Sequence, residues 1–170
     1  MKTTHFISEN NIEVKQITTE DNDFLKQCFE SDDFKMYITN DDIQVDEYWV
    51  LMFNHKRIGC AKFFCYESFG VVCMLLTIYI NKEYRFLSAS SIFCCFKYIK
   101  NVYSGVEKIE MRVYKLNTKC LRLFEFLGIE PEMCIPCKFN GIQTELYYYG
   151  FCVEQLPKYK NKLYERFGVE

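Results

Sequence analysis

The ten residues Val71–Ile80 (VVCMLLTIYI) are apolar except for one threonine and rich in β-branched side chains. The run is far short of the ~20 residues a membrane-spanning helix needs. Its length and branching instead predict a strand. Without polar alternation, that strand needs cover on both faces, as in the middle of a layered sheet. The rest of the chain must therefore supply flanking strands and covering helices.

The patterning on either side does so. Residues 12–19 alternate apolar and polar and predict a strand, whereas residues 1–11 are polar and read as a loose lead. Residues 20–30 place Phe24, Leu25, Cys28 and Phe29 at helical spacing behind an acidic start. A second helical piece is expected over residues 33–38. Tyr48–Phe53 and residues 58–66 read as a hairpin joined at Asn54-His55-Lys56-Arg57. Beyond the apolar strand, residues 88–103 form a helix ending near Gly105, and Lys108–Tyr114 alternates as a strand. Residues 117–127 form a helix stopped by Gly128. Strands over 132–138 and 143–151 join at Asn140-Gly141, a strong hairpin turn. The tail from Pro157 reads as a short helix or loose end. The order is β-α-(α)-β-β-β-α-β-α-β-β, an α/β sandwich with a mixed sheet in one domain.

Composition sets limits on function. The chain has 170 residues, about half hydrophobic, so it can bury a core without metal or disulfide. A net charge of −2 lacks the basic excess of a nucleic-acid binder. No apolar leader or membrane span is visible, so a cytoplasmic protein without nucleic-acid or membrane partners is expected. Ten cysteines, several within apolar stretches, read as reduced thiols.

Two stretches carry a resemblance. Ile80-Asn81-Lys82-Glu83-Tyr84-Arg85-Phe86-Leu87-Ser88-Ala89-Ser90 resembles V-x-P-x-Y-R-G-x-G-x-G/A, the pyrophosphate loop of the GNAT superfamily of N-acetyltransferases. Residues 117–129 (NTKCLRLFEFLGI) resemble N-x-x-S-x-x-x-x-E-x-x-G-F, a motif of the branch that contains the ribosomal-protein N-terminal acetyltransferases. With the strand order, the resemblance covers roughly residues 10–152. It implies a mixed, mostly antiparallel central sheet flanked by helices. It also implies transfer of an acetyl group from acetyl-CoA to a primary amine by direct attack.

Physics supports the first motif independently, because a strand ending in a loop that opens a helix leaves outward N–H groups backed by the helix dipole. The resemblance puts the cofactor against Ile78, Ile80, Arg85, Phe86, Leu87, Ser88, Ala89, Ser90, Ser91 and Asn117. Phe86 and Ser88 stand where glycine is usual, and a left-handed backbone at Phe86 would be strained. Ser88 has two readings, a hydroxyl donor to phosphate or a helix cap; Asn117 likewise serves the cofactor or caps its helix. Many relatives place a proton-donating tyrosine where this chain has Phe124. Cys120 occupies the alternative donor position of the ribosomal-protein branch, as a general acid or as a small semi-buried side chain.

The resemblance also implies that an N–H from the central strand polarises the thioester carbonyl, which residues 76–80 would supply here. Glu67, with Glu110, Glu132 and Glu145, is a base candidate or an ordinary strand carboxylate. Lys82, Arg85, Lys119 and Arg122 lie toward the phosphate end. Residues 20–47 carry ten acidic and two basic side chains, a local −8 that leaves +6 elsewhere. That segment either favours a cationic acceptor or is a solvated face. The lone Cys134-Ile135-Pro136-Cys137 has no second ligand pair for zinc, and His5 and His55 do not complete one, so no metal site is expected. A non-catalytic relative that binds CoA or a partner is the alternative function. The chain is expected to act as a monomer or homodimer.

Overall fold

The computed structural model describes residues 7–9, 11–37 and 47–167. Eight strands form one sheet in the order β1-β2-β3-β4-β5-β6-β8-β7. Every neighbouring pair is antiparallel except β5–β6, so the sheet is mixed and mostly antiparallel, as expected.

β1 (Ile7–Glu9) pairs with β2 (Ile12–Gln16). Residues 1–11 thus hold a strand that their polarity hid. Asn11, at φ 63°, makes the reversal, a conformation asparagine tolerates better than most residues. After β2 come a 3-10 turn (Thr19–Asp21), α1 (Asn22–Glu30) and α2 (Asp32–Tyr37). β3 (Tyr48–Phe53) and β4 (Lys56–Ser68) meet at a tighter turn than the sequence implied. Asn54 and His55 both have positive φ, 46° and 64°, the mark of a two-residue turn whose twist suits a hairpin.

β5 (Val71–Ile80) is followed by a 3-10 turn (Lys82–Leu87), α3 (Ser88–Val102), β6 (Lys108–Tyr114) and α4 (Thr118–Leu127). Gly128 ends α4 in the left-handed conformation, φ 71°. β7 (Met133–Phe139) and β8 (Ile142–Cys152) form the second hairpin, and α5 (Leu156–Phe167) closes the described chain. The tail is therefore a twelve-residue helix rather than a loose end. None of the described helices is long and apolar enough to cross a membrane.

Two cores flank the sheet. The larger joins Met74, Leu76, Ile109, Met111 and Phe151 to the inner faces of α3 and α4 and to Leu156 of α5. The smaller packs Leu25, Cys28, Phe29 and Phe34 of α1 and α2 on Tyr48, Val50, Cys60 and Tyr79. Fully burying one such side chain contributes about 1.5–3 kcal/mol. β5 departs from its expected cover: Leu75, Thr77 and Ile78 are only half-buried. The gap beside them is the site.

Candidate functional site

β5 and β6 pair over three positions, Cys73–Lys108, Met74–Ile109 and Leu75–Glu110. Beyond Leu75, β5 continues to Ile80 and β6 to Tyr114 with no pairing between them. Each strand is held on its other edge. β4 pairs with β5 over ten positions, and the Asn81 N–H extends that ladder to the Ile58 carbonyl at 2.8 Å. Gly59 lets the two backbones press together, since a β-carbon there would sit 2.1 Å from the Tyr79 carbonyl oxygen. β8 likewise follows β6 along its whole length. The sheet opens as a wedge, and a cavity of about 630 Å³ fills it, within the size range of small-ligand sites.

The wedge leaves one edge of residues 76–80 without a strand partner, so part of that backbone can bond a ligand. Ile78 and Ile80 line the cavity. At its upper end stand Arg85, Phe86, Ser88 and Ala89 at the entry to α3, while Leu87, Ser90 and Ser91 lie outside the lining. Ser91 is fully buried with its hydroxyl unpartnered.

The loop differs in conformation from the glycine-based expectation. Its residues wind into a 3-10 turn, and Phe86 is three-quarters exposed with φ outside the left-handed region. The strain expected at Phe86 is absent because no residue of this turn needs positive φ. Ser88 Oγ donates to the Arg85 carbonyl at 2.7 Å, tightening the junction. The Arg85 guanidinium is paired with Asp33 of α2 at 3.0 Å. On α2's other side, Asn140 Nδ2 donates to the Lys35 carbonyl at 3.2 Å, and Phe34 packs edge-on to Tyr79, ring centroids 5.2 Å apart. α2 is thereby tied to β5, to the loop and to the β7–β8 turn.

α4 forms the wall beside β6. The Asn117 side chain accepts the Cys120 N–H at 3.3 Å, so it caps the helix while also lining the cavity. Cys120 and Leu123, one turn apart, face the cavity together. Phe124 points the other way, into the core between Tyr149 and Phe151, with centroids at 4.5 and 5.3 Å. Burial pushes the Cys120 thiol up to about 12. It therefore stays protonated at neutral pH, and yielding that proton to a thiolate of ordinary basicity, ~8.5, is uphill.

The carboxylates stand apart from the cavity. Glu67 is exposed, opposite Val72 near the far end of the β4–β5 hairpin. Glu110 sits at the apex of the wedge, where Tyr66 Oη donates to it and Lys108 Nζ lies 3.1 Å away. Burial and this carboxylate push the Tyr66 hydroxyl up to about 12. Glu132 is paired with Lys108, and Glu145 with Lys115.

Of the seven described carboxylates in the acidic segment, Glu20, Asp23, Glu30 and Asp32 are exposed, and three are held in ion pairs. Asp21 is fully buried against Arg57, Nε–Oδ1 2.8 Å, and near Lys15; Asp33 holds Arg85; Glu47 holds Lys62. Asp41, Asp42 and Asp46 lie outside the described residues, as does His5. Cys134 and Cys137 lie three apart on β7 and so on opposite faces, and His55 is exposed in its turn.

Sequence reasoning missed the lining contributed by Lys62, Phe64, Arg112 and Leu146. Strand alternation puts Arg112 on the face opposite Met111. Only the wedge brings that face together with residues of β4 and β5.

No family model and no curated protein matches the chain. Solved structures do match in fold. A spermidine N-acetyltransferase from Vibrio cholerae, in complex with CoA and spermine, is 14% identical with a TM-score of 0.73, over 86% of this chain and 98% of that one. RimJ of Mycobacterium smegmatis, in complex with CoA-disulfide, is 10% identical with a TM-score of 0.72, over 95% and 93%. An aminoglycoside N(6')acetyltransferase from Legionella pneumophila is 14% identical with a TM-score of 0.68, over 89% and 97%. At such identities the likeness establishes a shared fold.

Proposed function

On the GNAT fold that this chain has, we propose an acetyl-CoA-dependent N-acetyltransferase that acts on a primary amine. The observation that carries the reading is the wedge: a parallel pair abandoned after three positions, with an unpaired β5 edge and a ligand-sized cavity beside a helix N-terminus. These features fit an extended pantetheine arm, and small Ala89 leaves room at the phosphate end. When bound, acetyl-CoA supplies the activated acyl group. The free edge of residues 76–80 provides N–H groups to polarise a carbonyl. Ile78, Ile80, Met111 and Val113 supply apolar wall that excludes water. Phe86, Ser88, Ala89 and Asn117 are proposed to frame the cofactor, with Lys119 facing its phosphates. Arg85 joins them once Asp33 lets go.

Cys120, held as a thiol, shapes the wall and is a weak candidate for the acid. A leaving thiolate needs little protonation to depart near neutral pH. The acceptor's proton passes to water or to a group outside the lining; Glu67 is too far along its strand to take it directly. Reduced thiols fit a cytoplasmic setting: all ten cysteines are unpaired by disulfides.

A second reading, a CoA-binding protein without turnover, is favoured by the core position of Phe124 and by a lining without carboxylates among the described residues. A thermal-melt titration with acetyl-CoA, followed by thiol release against amines, tests both. Saturating stabilisation of several degrees with thiol release supports the transferase. Stabilisation alone supports the binding protein, and the absence of both effects overturns the cofactor reading.

A further inference from the structure

The charge of the cavity runs against a polycationic acceptor. Its described lining holds four cations, Lys62, Arg85, Arg112 and Lys119, and no carboxylate. Arg85 and Lys119 lie toward the α3 and α4 ends, where a cofactor's phosphates belong. Lys62 and Arg112 lie on the opposite face of the sheet, on β4 and β6 either side of β5. Glu47 neutralises Lys62. Arg112 has no such partner among the described residues. Its Cζ lies over the Tyr148 ring, 5.1 Å from the centroid, and the nearby Glu110 carboxylate is taken by Tyr66 and Lys108.

A guanidinium seated over an aromatic ring still presents an N–H fork that can bind a carboxylate or phosphate through two parallel hydrogen bonds. A second ammonium group there would meet the Arg112 charge, which no carboxylate of the described lining faces, and this disfavours polyamines. Resting on the transferase reading, we propose that the acceptor is a small primary amine that carries an anionic group, and that Arg112 binds this group and so selects the substrate. Arg112 is a specificity residue: it acts on the acceptor's far end, away from the attacking nitrogen.

The test compares matched acceptors with the full chain: an amino-carboxylate, its carboxamide, the phosphate ester of an amino alcohol, the free amino alcohol, and spermidine. Thiol release from acetyl-CoA is measured for wild type, Arg112→Gln and Arg112→Glu. Arg112 is exposed, so both variants are expected to fold, and their melts check it. The expected result is at least a tenfold higher kcat/KM for an anionic member than for its neutral partner, carried in KM. In Arg112→Gln that ratio falls below about threefold, and Arg112→Glu turns the preference toward spermidine. Which anion wins identifies carboxylate or phosphate. Equal use of charged and neutral members, preference of wild type for spermidine, or an unchanged ratio in Arg112→Gln overturns the proposal. Should no amine be acetylated, the melt is read with CoA and the anionic amines. An added shift that Arg112→Gln abolishes keeps the anion site and sinks the transferase reading, while no added shift overturns the anion site as well.

Discussion

β5 has two edges with opposite fates. Toward β4 it is paired along its full length, and toward β6 it is paired only as far as Leu75. The closed edge is held by backbone fit, with Gly59 against the Tyr79 carbonyl. The open edge is held apart by what each strand does on its other side. A binding site here is an interruption of a ladder, kept open because β4 and β8 each retain their own strand more completely than β5 and β6 retain each other.

The contrast can be broken at the closed edge first. Gly59→Ala puts a methyl group where a backbone oxygen stands and is expected to cost about 3 kcal/mol or more in urea denaturation. A loss below about 1 kcal/mol would mean that β4 and β5 separate easily, and the asymmetry would need another cause. Phe124→Tyr comes next. Its hydroxyl enters a core beside Tyr149 and Phe151, for an expected loss of about 1–3 kcal/mol and no gain in thiol release. A rise in rate would mean that position 124 reaches the open side after all.

A pH series sharpens the same contrast at Cys120. Burial raises this thiol in the folded chain from an ordinary value of 9.0 to about 12. The stability linked to it is complete below pH 9 and is lost as pH climbs toward 12, because the unfolded chain ionises first. Relative to Cys120→Ala, wild type should lose about 1 kcal/mol in urea denaturation between pH 8 and pH 10. A parallel pH dependence for both proteins would show a thiol open to water. The smallest effect is expected at the tie across the wedge. Asp33→Asn should change stability by under about 1 kcal/mol, as exposed ion pairs contribute little. It should also tighten CoA binding about two- to fivefold by releasing Arg85. Weaker binding would make Asp33 a support for Arg85 rather than a competitor.

Much of the fold was legible because its signals are local. Lys108–Tyr114 and Tyr48–Phe53 alternate cleanly, Gly128 stops α4, and Asn140-Gly141 marks a hairpin. β1 was not legible, since a three-residue edge strand needs no apolar pattern of its own. The two-residue turn at Asn54-His55 was read too wide because lysine and arginine after it look like loop, although they begin β4. In the site, Ile78, Ile80, Arg85 and Asn117 could be placed through motif resemblance. Arg112 could not, because nothing in the sequence marks where two parallel strands part.

Periodicity and turn chemistry in the chain alone determined the α/β class, the strand-helix order after β1, the apolar central strand and the loop that opens α3. These depend on neighbours within a few residues. Only the tertiary structure decided where β5 and β6 separate, which carboxylates are consumed in ion pairs, and which cations face the cavity. Those outcomes depend on edge pairing and through-space charge between segments far apart in sequence: Arg85 with Asp33, Lys62 with Glu47, and Arg112 over a ring with no ion-pair partner among the described residues.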